Sequence, residues 1–133
     1  MQDEEAPAAR VLVAEDDPDI RDLFTMVLES AGAAVVAVNS GGAALEALRS
    51  QRFDLVVTDM WMPQMSGLDL CKALRADPAT AKLPILMLSA YGRMGGPREA
   101  MMAGATEYHT KPIRPAVLVS KVDALLGGRL VAR

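Results

Sequence analysis

Five polar side chains stand at or near the ends of apolar runs in this sequence: Glu15, Asp16, Asp59, Ser89 and Lys111. Three carboxylates brought together repel one another, and a hard divalent cation such as Mg²⁺, which prefers oxygen ligands, would relieve that repulsion. A hydroxyl and an ammonium group beside them would bind an anion. A carboxylate nucleophile, Mg²⁺, a hydroxyl and a lysine are the parts needed to accept a phosphoryl group, with Asp59 as the attacking group.

Each of these residues also has an ordinary structural interpretation. The acidic run at 15–17 could be a helix-capping cluster, and an aspartate that ends a strand, such as Asp59, is more often a turn residue or a cap. Ser89 could be a simple turn residue, and Lys111 a solvated surface lysine. The chemical interpretation therefore depends on whether the fold brings these side chains to one place.

The hydrophobic pattern predicts strands and helices in strict alternation. Apolar runs typical of buried strands occupy residues 11–14, 34–38, 55–57 and 83–88, and a short fifth strand is predicted at 106–110. Helical spacing of apolar residues, cap residues and breakers predict helices from Pro18 to Gly32, from Gly41, from Ser66 to about Ala76, from about Pro97 to Gly104, and from Pro115 to Leu126. The alternation predicts an α/β fold with a parallel sheet covered by helices on both faces.

Five strands favour the flavodoxin-like, doubly wound order 2-1-3-4-5 with five helices. In such a sheet all strands end at one edge, and the switch point falls between the strand that carries Asp16 and the strand that carries Asp59. Five suitable groups at the tips of four strands are hard to assign to chance, which favours the chemical interpretation.

The composition indicates one domain and excludes several kinds of site. A net charge of −3 argues against direct binding to nucleic-acid phosphates, and one cysteine with one histidine cannot form a disulfide or a zinc site. The acidic N-terminus is unlike a signal peptide, and the longest apolar run, 83–88, is far shorter than the ~20 residues that span a bilayer. We expect a cytoplasmic protein with its domain at residues 10–127, a disordered N-terminal tail at 1–9 and a C-terminal tail at 128–133.

Four segments resemble the receiver domain of two-component response regulators, of the chemotaxis-regulator-like kind. They are VLVAEDDP at 11–18, DMWMPQMSG at 59–67, LSA at 88–90 and GATEYHTKP at 104–112. The resemblance covers residues 10–127 and implies a signalling phosphoprotein that takes a phosphoryl group from a histidine kinase or a phosphotransfer protein. It implies no enzyme activity beyond phosphorylation and dephosphorylation of the domain itself.

The resemblance also implies a role for each site residue. Asp59 would be the phosphoacceptor, and Mg²⁺ would be held by Glu15, Asp16, Asp59 and the backbone carbonyl of Trp61. Ser89 and Lys111 would contact the phosphoryl oxygens.

A conformational switch is implied as well. Ser89 and Tyr108 would change the face formed by the fourth helix, the fifth strand and the fifth helix, where an output partner binds. The Lys111–Pro112 peptide bond would be cis. The protein would be a monomer or a phosphorylation-dependent dimer, with no membrane contact.

Three alternatives remain beside the receiver interpretation. An aspartyl-phosphate phosphohydrolase of the haloacid dehalogenase kind needs a second aspartate two residues after the nucleophile, where this chain has Trp61. A flavodoxin-like cofactor binder needs a phosphate loop after the first strand, where the acidic run at 15–17 would repel phosphate. A pseudo-receiver that serves only as a protein-docking module would need none of the site residues, all of which are present.

Overall fold

Strands and helices alternate along the chain as the hydrophobic pattern predicts. The computed structural model describes residues 7–90 and 95–130. The strands are β1 (Arg10–Ala14), β2 (Ala34–Val38), β3 (Leu55–Asp59), β4 (Ile85–Ala90) and β5 (Glu107–Lys111), and the helices are α1 (Pro18–Ser30), α2 (Gly41–Ser50), α3 (Gly67–Ala76), α4 (Pro97–Ala103) and α5 (Pro115–Leu125).

The five strands form one parallel sheet in the order β2-β1-β3-β4-β5, which confirms the predicted flavodoxin-like topology. Every residue of the central strand β3 is buried, because apolar clusters cover both faces of the sheet. One cluster packs α2, α3 and α4 on the sheet, and the other packs α1 and α5. The order places the ends of β1 and β3 side by side.

Local capping signals fix the helix ends that position the site. The Asp17 carboxylate accepts hydrogen bonds from the N–H groups of Asp19 and Ile20, so α1 begins directly after the acidic run. Ser66 and Asp69 form a reciprocal capping box at the start of α3. α1 therefore starts four residues after the end of β1, and α3 starts eight residues after Asp59.

The strands β4 and β5 both begin later than predicted. β4 starts at Ile85 rather than at residue 83, because the Leu83 N–H bonds the carbonyl of Thr80 in a turn and Pro84 has no N–H. β5 occupies Glu107–Lys111 rather than 106–110. Both strands also end later than predicted, at Ala90 and Lys111, so Ser89 and Lys111 are ladder residues of the sheet and not loop residues that follow it.

Residues just outside the predicted domain limits of 10 and 127 also contact the folded part of the chain. Ala9 is 1% exposed, and its carbonyl accepts a hydrogen bond from the N–H of Ala34. At the other end the Leu130 N–H bonds the Asp123 carboxylate, and Arg129 pairs with Asp54 at 3.2 Å. Residues 1–6 and 131–133 of the two predicted tails lie outside the described residues, as do residues 91–94. No helix in the described ranges is long and apolar enough to cross a membrane.

Candidate functional site

The carboxyl ends of β1, β3 and β5 open into one cavity of about 810 Å³. Glu15, Asp16, Asp59 and Lys111 line its polar part, together with Trp61. An apolar wall completes it and consists of Ile20, Leu23, Phe24 and Ile113, with Met62 and the prolines 63 and 112. The fold thus gathers at one place four of the five polar residues that the sequence singles out.

Three carboxylates form the acidic part of the cavity. One oxygen each of Glu15, Asp16 and Asp59 lies within 4.8 Å of the others. Glu15 is 2% exposed and Asp59 9%, whereas Asp16 is exposed. Carboxylate oxygens at this spacing, with one open side, suit a hard divalent cation that keeps some of its water.

Lys111, the last residue of β5, contacts two of these carboxylates. Its Nζ lies 2.8 Å from Oε1 of Glu15 and 3.5 Å from Oδ2 of Asp59. The other oxygen of Glu15 accepts a hydrogen bond from the N–H of Asp17 at 3.0 Å. Glu15 is therefore held on both oxygens, and a single ammonium group serves two of the three carboxylates.

Comparison with known proteins decides which family has this arrangement. Residues 11–123 match the response regulator receiver domain. The chain belongs to this family. A crystal structure from Chloroflexus aurantiacus shares the fold of this receiver domain with a TM-score of 0.86 at 34% identity, covering 90% of this chain and 98% of that one. The chemotaxis response regulator CheY4 of Vibrio cholerae gives a TM-score of 0.82 at 31% identity, over 89% and 98% of the two chains.

Curated relatives of the receiver domain differ in length. The DNA-binding response regulator MtrA of Mycolicibacterium smegmatis is 38% identical over 117 residues, which are 88% of this chain and 50% of that protein. An uncharacterized 14.6 kDa protein of Leptolyngbya boryana is 38% identical over 113 residues, 85% of this chain and 86% of that protein. The chain thus spans about half the length of MtrA and most of the length of the second relative.

The surroundings of Asp59 make its carboxyl an unusually weak acid. Burial raises the pKa of Asp59 from 3.8 to about 6, and the charges of Glu15 and Asp16 push it in the same direction. Lys111 and the backbone N–H of Trp61 oppose this rise without cancelling it. The receiver domain therefore carries an ionised Asp59 at neutral pH at a cost in stability.

We expect an Asp59→Asn variant to be more stable than the parent at high pH in the absence of divalent metal. Because the folded-state pKa of about 6 exceeds the ordinary value of 3.8, the folded state binds the proton more tightly, and the parent loses stability as the pH rises between these values. The expected advantage of the variant is about 3 kcal/mol above pH ~7, and it disappears below pH ~4. Urea unfolding in EDTA across this range tests it, and an advantage that does not change with pH would contradict it.

Ser89, the fifth of these polar residues, is fully buried at 0% exposure and is not among the residues that line the cavity. Its Oγ has no hydrogen-bond partner among the described residues, which is unusual for a buried hydroxyl. It sits on β4, the strand next to the one that ends in Asp59. Three carboxylates and an ammonium group in one cavity fit a divalent cation together with a bound anion, and the Ser89 hydroxyl lies on the strand between β3 and β5.

Tyr108 is the second residue of β5, in register with Met87 of β4. It is half-buried and packs against the cluster that joins α2, α3 and α4 to the sheet. Its predicted role as a switch residue stays a prediction. The Lys111–Pro112 bond is cis, as the resemblance implies.

Two contributors to the site escaped the sequence interpretation. Arg21, on α1, donates from Nη1 to the backbone carbonyl of Glu15 at 3.0 Å and so fixes the end of β1. Gly67, the first residue of α3, lies directly against the backbone of Asp59. Helical spacing places Arg21 on the turn after the acidic run, but no sequence signal shows which atom its side chain reaches.

Proposed function

We propose that this domain accepts a phosphoryl group on Asp59, with Mg²⁺, from a histidine kinase or a phosphotransfer protein of a cytoplasmic signalling system. The observation that supports it most is the convergence of three carboxylates and Lys111 in one cavity, with the buried Ser89 hydroxyl, which has no partner among the described residues, on the strand between β3 and β5. The domain would act as a signalling module whose only reactions are its own phosphorylation and dephosphorylation.

The cation would be held by Glu15, Asp16, Asp59 and the backbone carbonyl of Trp61. When bound, Mg²⁺ supplies positive charge that offsets the negative charge on the transferring oxygens. An Asp59 carboxylate oxygen attacks the phosphorus, the bond from phosphorus to the donor's histidine nitrogen breaks, and the imidazole keeps the electron pair and takes up a proton. With a pKa of about 6, Asp59 is ionised and ready to attack at neutral pH.

Lys111 and Ser89 would receive the transferred group. The Lys111 ammonium already lies 3.5 Å from Asp59, so it would donate to the new phosphoryl oxygens and loosen its bond to Glu15. The Ser89 hydroxyl would gain the partner it lacks. Movement of Ser89 and of Tyr108 would then change the face formed by α4, β5 and α5, which an output partner would contact.

Output through protein contacts agrees with the charge of the domain. MtrA is named a DNA-binding regulator, but this chain matches only about half of it. The net charge of −3 gives the domain itself no evident means of binding nucleic acid directly. We propose a monomer or a phosphorylation-dependent dimer.

Intact-mass spectrometry after incubation with acetyl phosphate and Mg²⁺ tests the proposal. One labile phosphoryl adduct is expected on the parent, and none on Asp59→Asn or on the parent in EDTA. A parent that takes up no phosphoryl group would favour a pseudo-receiver that only docks proteins. An equal adduct on the Asp59→Asn variant would place the acceptor elsewhere.

We expect Asp16→Ala to abolish phosphorylation without destabilising the metal-free protein. The exposed Asp16 contributes one of three crowded carboxylates, so its removal takes away a Mg²⁺ ligand and also relieves repulsion. Mg²⁺ titration followed by the fluorescence of Trp61, the one tryptophan, should show weaker binding by at least tenfold. Melting in EDTA should be unchanged or higher.

Asp19→Ala is the matched control for this prediction. Asp19 is an exposed carboxylate in the first turn of α1, outside the cluster. Its removal should leave Mg²⁺ affinity and phosphorylation near the parent values. A large loss of metal-free stability in Asp16→Ala would show that Asp16 is a structural residue instead.

A further inference from the structure

Arg75, in the last turn of α3, binds three other segments through its guanidinium group. Its Nε donates to the carbonyl of Gly104 at 2.8 Å, and its Nη1 donates to the carbonyls of Thr80 and Ala81, both at 3.1 Å. Its Nη2 donates to the Thr106 hydroxyl at 3.4 Å. One side chain thus holds the end of α4, the turn before β4 and the approach to β5.

The side chain of Arg75 packs tightly against the carboxyl end of α4. Gly104 caps α4 with a φ of 107°, and a Cβ added there would lie 2.6 Å from Cγ of Arg75. The Thr106 hydroxyl also accepts a hydrogen bond from the N–H of Ile85, the first residue of β4. The carboxyl end of α4 is therefore fixed to α3 and to the sheet at once.

The other end of α4 meets the site. Gly95, two residues before α4, is packed so closely that an added Cβ would lie 3.0 Å from Sδ of Met60 and 3.3 Å from the ring of Trp61. Met60 and Trp61 directly follow Asp59 in the chain. A shift of the backbone after Asp59 would consequently reach the amino end of α4 first.

We propose that Arg75 is the fixed point about which α4 swings when the site is occupied. The helix has only seven residues, so it is about 10 Å long and moves as one short rod. Its amino end follows Met60 and Trp61, and its carboxyl end stays bound to Arg75. The swing rests on the proposed function, because it requires an occupied site. The anchoring of α4 by Arg75 does not, because it concerns the protein without a bound group.

Amide hydrogen exchange of Arg75→Met tests the anchor. Methionine keeps an apolar stem against Gly104 and removes every donor. The Gly104 and Ala105 amides, which bond the carbonyls of Met101 and Ala100, should exchange at least tenfold faster than in the parent. Lys72→Met, at an exposed position on the same helix, is the control for lost charge and should leave these amides unchanged.

The swing is tested by adding beryllofluoride and Mg²⁺ as a phosphoryl mimic. In the parent the mimic should change exchange at residues 95–100 and leave 103–106 unaffected, whereas in Arg75→Met the change should extend to 103–106. Arg75→Lys keeps the charge but loses the planar guanidinium group, so its exchange should lie between that of the parent and that of Arg75→Met. It replaces Arg75→Met in both tests if the methionine variant does not fold.

Three results would overturn the inference. They are unchanged exchange at Gly104 and Ala105 in both variants, a rise spread evenly over the whole domain, and a mimic effect equally large at both ends of α4 in the parent. If the mimic has no effect although acetyl phosphate modifies the parent, the pivot is wrong and the proposed function stands. If neither acetyl phosphate nor beryllofluoride has an effect, the proposed function fails. Amide exchange at Gly104 and Ala105 without the mimic then still tests whether Arg75 anchors α4.

Discussion

Replacing Gly67 by alanine is expected to lower the free energy of unfolding by about 3 kcal/mol or more. The added Cβ would lie 2.0 Å from the carbonyl oxygen of Asp59 and 3.0 Å from Cα of Met60. These neighbours are backbone atoms of β3 and the loop that follows it, so no side chain can rotate away. Relief requires α3 or the end of β3 to move, which would also displace the Asp59 carboxylate.

Gly42→Ala is the matched control for the Gly67 substitution. Gly42 lies in the first turn of α2, and a Cβ added there meets nothing within 4 Å. Alanine at this position should raise the free energy of unfolding by about 0.5 kcal/mol, because it restricts the unfolded chain. Urea unfolding of both variants gives the comparison, and a cost below ~1 kcal/mol for Gly67→Ala would show that the backbone yields easily.

Replacing Lys111 by methionine is expected to cost about 3 kcal/mol at pH 8 without metal and to abolish phosphorylation. Glu15 is 2% exposed and lies 2.8 Å from the lysine Nζ, so the variant leaves a buried carboxylate without its cation. The pKa of Asp59 should rise further, since Lys111 is the group that lowers it most.

Two comparisons separate this effect from an ordinary surface ion pair. Lys121→Met breaks the pair with Glu107 on partly exposed β5 and α5, and should cost no more than ~1 kcal/mol. Adding Glu15→Gln to Lys111→Met should recover much of the lost stability, because the unpaired charge is gone. If urea unfolding shows an equally small loss of stability in Lys111→Met and Lys121→Met, the buried pair stabilises the domain no more than the surface pair does.

Local signals made most of the fold predictable. Asp17 and Ser66 cap helices through bonds to N–H groups two or three residues away, so the sequence alone indicates where α1 and α3 begin. The predicted start of β4 at residue 83 is wrong because apolar Leu83 belongs to a turn, in which its N–H bonds the carbonyl of Thr80. Hydrophobicity marks burial in that run without showing which residues join the ladder.

The sequence predicts where the site residues lie in the fold, but it does not predict which atoms they contact. The order of the strands brings Glu15 and Lys111 to one edge, but they are 96 positions apart, and no local pattern shows that they bond each other. The same holds for Arg21, whose target is a backbone carbonyl. Such contacts depend on the rotamers and spacing of the folded state, which periodicity does not encode.

The pairing of Arg129 with Asp54 holds residues 129 and 130 at one edge of the sheet. Asp54 precedes β3 at the edge of the sheet opposite to Asp59, and Arg129 meets it there just before Leu130. The five residues of β3 separate the two edges by about 16 Å. Leu130, the last described residue, therefore lies away from the Asp59 carboxylate, and a change at Asp59 would reach this end of the described chain only through the body of the domain.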